Sequence, residues 1–303
     1  MGSARFSLPS LELLLQSGHQ VVGVVTRPDR PKGRGRKTGP GPVKELSLKK
    51  GFPLLLPDSL RDPSFLSSLR GLKPDLGVVV AFRILPPEVF TIPPKGTINL
   101  HASLLPRYRG AAPINWAIIR GERVTGVTTF FINEGIDTGK IILQRSTPIG
   151  EQETAGQLAE RLAKWGAEIL LETVELIGQG RAAAREQPKG ETSPAPKLQK
   201  SDGQIDWSQS SEGIRNLVRG LNPEPGAFTY FRDKLLKIHQ VSHLHPDLPK
   251  GKPGQVVLVD KELVVSTGDG FLSLEEVQPQ DRGRMRGEEF LRGYRPRLGE
   301  ILG

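Results

Sequence analysis

The sequence predicts a two-domain protein, a parallel α/β sheet domain followed by a small β-barrel of the oligonucleotide-binding type. Three observations carry that reading. Apolar, β-branched runs alternate with helical patterns over residues 19–178, as in a parallel sheet covered by helices. A stretch of linker composition, QPKGETSPAPKLQKSDG at 187–203, then breaks the alternation. Beyond it, short strand-like runs follow one another with turn signals between them, as in a five-stranded barrel. The length of 303 residues agrees, because two cores are the natural expectation at that size. The boundaries expected are 1–186 for the first domain, 187–203 for the linker and 204–303 for the barrel.

Taken in order, LPSLELLLQ (8–16) is a short amphipathic helix that Gly18 can stop. HQVVGVVTR (19–27) is a β-branched strand. PDRPKGRGRKTGPGP (28–42) holds four Pro and four Gly and is expected to form no regular element. VKELSLKK (43–50) returns to helix, LLL (54–56) is a short strand and 59–71 a further helix. DLGVVVAF (75–82) is continuously apolar, the pattern of a strand buried on both faces. TINLH (97–101), GVTTFFIN (126–133) and KIILQRSTPI (140–149) are strands, with a helix over 113–120 and a long one over 153–178. After the linker come a helix near 208–220 and the runs AFTYF, LLKIHQVSHL, GQVVLVD, ELVVSTGDG and FLSLEEVQ.

Hydrophobic residues make up 36% and charged residues 25%, which suits a globular chain. With no cysteine, disulfides, thiolate metal sites and a cysteine nucleophile are excluded. No run approaches the ~20 apolar residues of a membrane span, and no basic stretch leads into a long apolar core at the start. A cytoplasmic location without a membrane partner is therefore expected. The net charge of +9 is concentrated: residues 27–50 carry nine Lys/Arg against Asp29 and Glu45, while 197–303 carry 16 basic and 15 acidic residues. Such a segment addresses phosphate or is a loop kept soluble by charge, and composition leaves both open.

Asn99-Leu100-His101 ends an apolar strand, and ligands of open α/β sheets bind beyond the carboxyl ends of strands. Alternation puts Asn99 and His101 on one face. Asp137 follows another strand in the loop GIDTG (135–139), where a carboxylate can orient the imidazole. By spacing alone each of the three is more often a turn former or a satisfied polar residue.

INLHASLLPRYRGAAPINWAI (98–118) with GVTTFFINEGIDTG resembles the signature of the folate-dependent formyltransferases, and RYRGAAPINWAI is closest to the methionyl-tRNA formyltransferase branch. VTRPDRPKGRGRK (25–37), LKPDLGVVVAF (72–82), DGQIDW (202–207) and the terminal GDGFLSLEEVQPQDRGRMRGEEFL resemble that branch in the same order, so the likeness spans essentially the whole chain. It implies a Rossmann-like formyltransferase domain and an OB-like tRNA-binding domain. The activity implied is formyl transfer from 10-formyltetrahydrofolate to the α-amino group of initiator methionyl-tRNA, for translation initiation, by a monomer that needs no metal. Asn99, His101 and Asp137 correspond to the catalytic trio. Ser103, Leu104, Leu105 and Pro106 correspond to the stretch that holds the reduced folate, and Phe82, Ile84 and Leu85 to the wall of its pterin pocket. Lys32, Arg34, Arg36 and Lys37 correspond to the loop that meets the tRNA acceptor stem, with Arg34 matching its arginine most closely. Arg282, Arg284, Arg286, Arg292, Arg295 and Arg297 form either a second basic stripe or an ordinary solvated surface.

One feature departs from the pattern. Met1-Gly2-Ser3 aligns with a turn that follows the first strand in the family, so that strand is apparently missing. Met1 is then expected to be an internal methionine, and a gap is expected between two strands of the first sheet. Two other readings remain: a formyltransferase for a small amine such as a glycinamide nucleotide or an amino sugar, and a non-catalytic RNA-binding relative. The first does not need the basic loop together with the second domain. The second sits badly with an intact Asn/His/Asp set.

Overall fold

The computed structural model describes residues 1–32, 37–243, 251–258 and 262–303. In chain order it contains α1 (Leu8–Gln16), β1 (Val24–Val25), β2 (Arg30–Lys32), β3 (Lys37–Gly39), α2 (Pro42–Lys50), β4 (Leu54–Leu55), α3 (Pro63–Gly71), β5 (Gly77–Val80), α4 (Pro87–Phe90), β6 (Thr97–His101), β7 (Arg109–Gly110), α5 (Pro113–Ile119), β8 (Val124–Phe131), β9 (Ile141–Pro148) and α6 (Ala155–Gly178). There follow β10 (Pro194–Ala195), α7 (Ser211–Gly220), β11 (Ala227–Phe231), β12 (Lys234–His243), β13 (Val256–Leu258), β14 (Val264–Ser266), β15 (Phe271–Pro279), β16 (Met285–Arg286) and α8 (Gly287–Tyr294). The chain divides into two compact units. One comprises Met1–Gly110, Thr125–Thr147 and Ala159–Ala195, the other Ala111–Val124, Pro148–Leu158 and Pro196–Gly303. Among the described residues no helix is long and apolar enough to cross a membrane.

Local chemistry explains where the elements of the first unit start and stop. Pro63 occupies the first turn of α3, and the Asp62 carboxylate accepts the Ser64 N–H at 2.8 Å, so the helix starts at Pro63 rather than at residue 59. Gly51, at φ +71°, ends α2 in the left-handed conformation. Arg30–Lys32 and Lys37–Gly39 pair as an antiparallel ribbon, a correction to the expectation of no regular structure over 28–42.

The site-bearing sheet has the order β5-β6-β8-β9. β5 and β6 are parallel, with Val79 beside Asn99. β8 is antiparallel to β6, with His101 opposite Thr128, so the sheet is mixed. The alternation of strands and helices does not fix that direction, since α5, between β6 and β8, belongs to the other unit and does not serve as a crossover on this sheet. α6 approaches closely: a β-carbon on Gly166 would lie 2.7 Å from Leu100 Cδ2. The Thr129 and Thr173 hydroxyls bond at 2.7 Å, fixing α6 to β8. Leu60, Phe65, Leu69, Val79, Leu85 and Val89 form the apolar core beside β5.

The gap expected in this sheet is present. β1 pairs with β4 in a separate short parallel sheet, and between β1 and β5 lies a cavity of about 290 Å³ lined by Val21–Val25 and Asp75–Val78. Only its end is bridged by the start of the chain. Gly2 N–H donates to Val25 O at 3.1 Å, and Met1 O accepts the Val80 N–H at 3.0 Å. The Met1 α-amine donates to Val78 O at 2.7 Å, and burial pushes its pKa from the ordinary 8.0 down to about 5. The run over 19–27 is a strand only at Val24–Val25, where it pairs with β4, and among the described residues most of its second edge has no ladder partner.

In the second unit an antiparallel sheet runs β11-β12-β15-β14-β13, with β16 added on β15. Register shifts between Ile238 and Val241 bend β12, the kind of irregularity that curls a sheet toward a barrel. α7 buries Ile214 and Val218 against this sheet. The GDG signal is a turn as read: Asp269 accepts the Ser211 N–H at 2.7 Å, and that bond, the largest cause, holds its carboxyl below the usual range. α8 was not foreseen. Its Phe290 stacks on Tyr294 at 4.5 Å and meets Phe231 edge-on at 5.2 Å.

Candidate active site

β6 is placed by parallel pairing with β5 on one side and antiparallel pairing with β8 on the other, and its carboxyl end carries Asn99 and His101. Asn99 is partly exposed, and among the described residues its carboxamide has no hydrogen-bond partner. It is a donor already held on a paired strand. His101 is 6% exposed. Its Nε2 lies 2.8 Å from Tyr108 O; a carbonyl can only accept, so Nε2 carries the proton. Its Nδ1 faces Asp137 Oδ2 at 3.6 Å. Both ring nitrogens therefore point at acceptors. In this geometry Asn99 is the free donor, and His101 can turn an N–H to a ligand only by leaving Tyr108 O.

Asp137 sits in the loop after β8 with φ +52°, a left-handed conformation that Asp and Asn adopt more readily than most residues. Its Oδ2 accepts the Gly110 N–H at 2.8 Å, so β7 positions the carboxylate. Gly110 is itself required: its φ is +125°, and a β-carbon there would lie 2.5 Å from Ala195 O. His101 and Asp137 thus meet, with Asn99 two positions before His101 on the same strand, and β7, β10 and Tyr108 support the pair without having been foreseen.

The expected folate stretch is more divided. Ser103 is fully buried, and its hydroxyl donates to Arg107 O at 2.6 Å, which closes the turn instead of leaving a polar handle free. Leu105 packs with Phe130 and Ile141 in a core cluster. Its N–H donates to Thr128 Oγ1, and its carbonyl accepts from Gln144 Nε2 at 2.8 Å. Pro106 is buried behind a cis Leu105–Pro106 bond. Leu104 is the partly exposed member. Of the expected pterin wall, Leu85 is core, Phe82 is partly buried beneath the Arg83 guanidinium and Ile84 is 73% exposed. Segments 81–86 and 102–106 leave the carboxyl ends of the parallel neighbours β5 and β6, so the accessible apolar groups Ile84 and Leu104 flank the end of the strand that bears Asn99.

Of the expected RNA-contacting residues, Arg34 and Arg36 lie outside the described residues, and for Lys32 and Lys37 the structure describes the backbone pairing alone. The six arginines from Arg282 to Arg297 are all exposed, and Arg284 pairs with Glu276 at 3.4 Å. Among the described residues no cluster of His, Asp or Glu is built to hold a metal ion.

A preset amide donor, an imidazole between two acceptors and a carboxylate at a strand end suit acyl transfer, in which an oxyanion forms and an attacking amine loses a proton. Comparison with known proteins agrees. The formyl transferase family matches residues 2–174, and the formyl transferase C-terminal domain matches residues 197–295. A methionyl-tRNA formyltransferase of Syntrophus aciditrophicus (strain SB) is 47% identical over 305 residues, with 100% of this chain and 97% of that protein covered. One from Acetivibrio thermocellus is 45% identical, with 100% and 98% covered. Among solved structures, WlaRD, a sugar 3N-formyl transferase, superposes with a TM-score of 0.68 at 19% identity, over 93% of this chain and 97% of that one. HypX from Aquifex aeolicus, in complex with tetrahydrofolic acid, superposes with a TM-score of 0.61 at 22% identity, over 84% and 44%. The two structures share the fold, and the two sequence relatives go further: this chain belongs to the methionyl-tRNA formyltransferase family.

Proposed function

We propose that this protein transfers the formyl group of 10-formyltetrahydrofolate to the α-amino group of initiator methionyl-tRNA, giving the N-formylmethionyl-tRNA used to start translation. The observation that carries this reading is the Asn99 carboxamide, without a hydrogen-bond partner among the described residues, on the same strand end as the His101 that faces Asp137, in a chain of this family. We assign the chemistry to residues 1–186, connection to 187–203 and RNA contact to 204–303 together with the 28–42 loop.

The methionyl amine attacks the formyl carbon, a C–N bond forms, and the carbonyl oxygen becomes an oxyanion. The Asn99 NH2 donates to that oxygen, and we assign to a protonated His101, two positions further along the same strand, the charge that stabilises it. Donors of this kind are worth on the order of 100- to 1,000-fold in rate. The attacking nitrogen must lose a proton as the oxyanion collapses and folate N10 leaves. Asp137 Oδ1 carries no hydrogen bond among the described residues and is the acceptor within reach of the site, directly or through water. The proton then returns to N10, so nothing is consumed but the formyl donor. Ile84, Phe82 and Leu104 offer the folate an apolar surface, and Ser103, Leu105, Leu85 and Pro106 hold the shape of the two loops that present it. Lys32, Arg34, Arg36 and Lys37 give the loop that meets the acceptor stem its charge.

The test is formylation of methionyl-tRNA by the purified protein with 10-formyltetrahydrofolate, with an aminodeoxy sugar nucleotide and glycinamide ribonucleotide as competing acceptors. Transfer to charged initiator tRNA is expected. Transfer to a small amine alone would overturn the reading, as would tRNA binding without turnover.

A further inference from the structure

Residues 187–193 read from sequence as the start of a linker, yet they join the loops at the carboxyl end of the first sheet. Ile141 and Arg185 exchange both backbone hydrogen bonds at 2.8 Å, so the chain enters this region as an added antiparallel bridge on β9. Gln187 follows with every polar atom engaged. Its Nε2 donates to Asp137 O at 2.8 Å and to Gly139 O at 2.9 Å, the two carbonyls that flank Thr138. Its Oε1 accepts from Arg109 Nη2 at 2.6 Å and from Arg109 Nε at 3.2 Å. Arg109 directly precedes Gly110, whose N–H holds the Asp137 carboxylate. Ser193 continues the arrangement: its hydroxyl accepts the Tyr108 N–H at 2.9 Å, and its carbonyl accepts the Arg109 N–H at 2.9 Å. β10 then pairs in parallel with Arg109–Gly110.

We infer that Gln187 is a positioning residue for the transfer reaction, one that sets Asp137 against His101. A side-chain amide suits the task because it offers donors to one partner and an acceptor to the other. One end meets two backbone carbonyls of the Asp137 loop, and the other meets the guanidinium on β7. The loop needs such a hold: Asp137 is a non-glycine residue at φ +52°, and neighbouring contacts must keep it there. With Gln187 in place, the Asp137 main chain is tied from below while its carboxylate is tied through Gly110. Without it, the carboxylate loses one of the two constraints that set its 3.6 Å approach to His101 Nδ1. Ser193 acts one step further out, through Tyr108, whose carbonyl receives His101 Nε2 at 2.8 Å.

This inference rests on the proposed formyl transfer, and the experiment separates the two. Wild type, Gln187→Ala, Gln187→Glu and Asp137→Asn are assayed with methionyl-tRNA and 10-formyltetrahydrofolate, together with the double variant Asp137→Asn/Gln187→Ala. Gln187→Glu keeps the shape and the Arg109 contact but turns an oxygen toward the two carbonyls. Both Gln187 variants are expected to lose about ten- to a hundredfold in kcat, the scale of a misplacement near 1 Å. KM for both substrates and the melting temperature should stay near wild type, and the pH–rate profile should move, because the variant alters the His101–Asp137 approach. In the Asp137→Asn background, Gln187→Ala should cost little more, since both changes act on one group. Wild-type kcat in both Gln187 variants would overturn the assignment, as would normal turnover in Gln187→Glu or full additivity in the double variant. An inactive wild type would instead refute the formyl-transfer reading. If Gln187→Ala melts early, the isosteric Gln187→Glu alone decides.

Discussion

Replacing Asp137 by Asn keeps the shape of the side chain and removes its charge, and with it the proton acceptor proposed above. Asn tolerates the positive φ of this position as Asp does, and its amide oxygen can still accept the Gly110 N–H that Asp137 Oδ2 accepts at 2.8 Å. What disappears is the charge 3.6 Å from His101 Nδ1. With His101 protonated, as the proposed mechanism requires, two unit charges at that separation attract by about 4–5 kcal/mol at an effective dielectric of about 20. Both side chains are largely buried, at 6% and 14% exposure, so little of this is screened, but the desolvation of the pair offsets part of it. A loss of about 3–4 kcal/mol of transition-state stabilisation remains, which is roughly 100- to 1,000-fold in kcat. The assay is single-turnover formylation of methionyl-tRNA with saturating formyl donor, beside tRNA and folate binding measured separately. Binding should be unchanged and the thermal midpoint nearly so. Asp137→Ala would confuse the result, because the Gly110 N–H would lose its partner at about 1–3 kcal/mol of stability. Turnover by Asp137→Asn equal to wild type would refute the proposed role of the pair.

Other expectations follow from the same geometry. Asn99→Ala should lower kcat by about 100- to 1,000-fold, the cost of one oxyanion donor, while folate binding stays intact; an equal loss in folate affinity would make Asn99 a binding group instead. Arg34→Ala should raise KM for tRNA and flatten its salt dependence by about one phosphate contact, with no effect on a free-amine acceptor.

The residues proposed to carry chemistry were legible as candidates because chemistry restricts residue type. An amide and an imidazole two positions apart at the end of an apolar strand can serve one ligand, and the structure puts a carboxylate beside them. Elements that bury continuous apolar runs were legible for the same kind of reason: Gly77–Val80 and Thr97–His101 have few alternatives to a two-sided sheet position. What stayed hidden depends on partners distant in sequence. The direction of β8 is decided by how the chain returns, which the pattern of the strand itself does not record. Leu105 and Leu104 are equivalent as letters, yet one faces Phe130 and Ile141 and the other remains partly open, because the turn closed by Ser103 sends them in different directions. The composition of 187–203 is that of a linker, and composition reports only that a segment has too few apolar groups to make a core. It is silent on whether polar groups are spent on a neighbour. Gln187, Ser193 and the backbone of β10 make seven hydrogen bonds or pairings to the loops around the trio, none of which needs an apolar side chain. A segment held largely by polar contacts will read as a linker from composition wherever it occurs, and a loop such as that of Asp137, in a left-handed conformation, is the kind of neighbour that needs one.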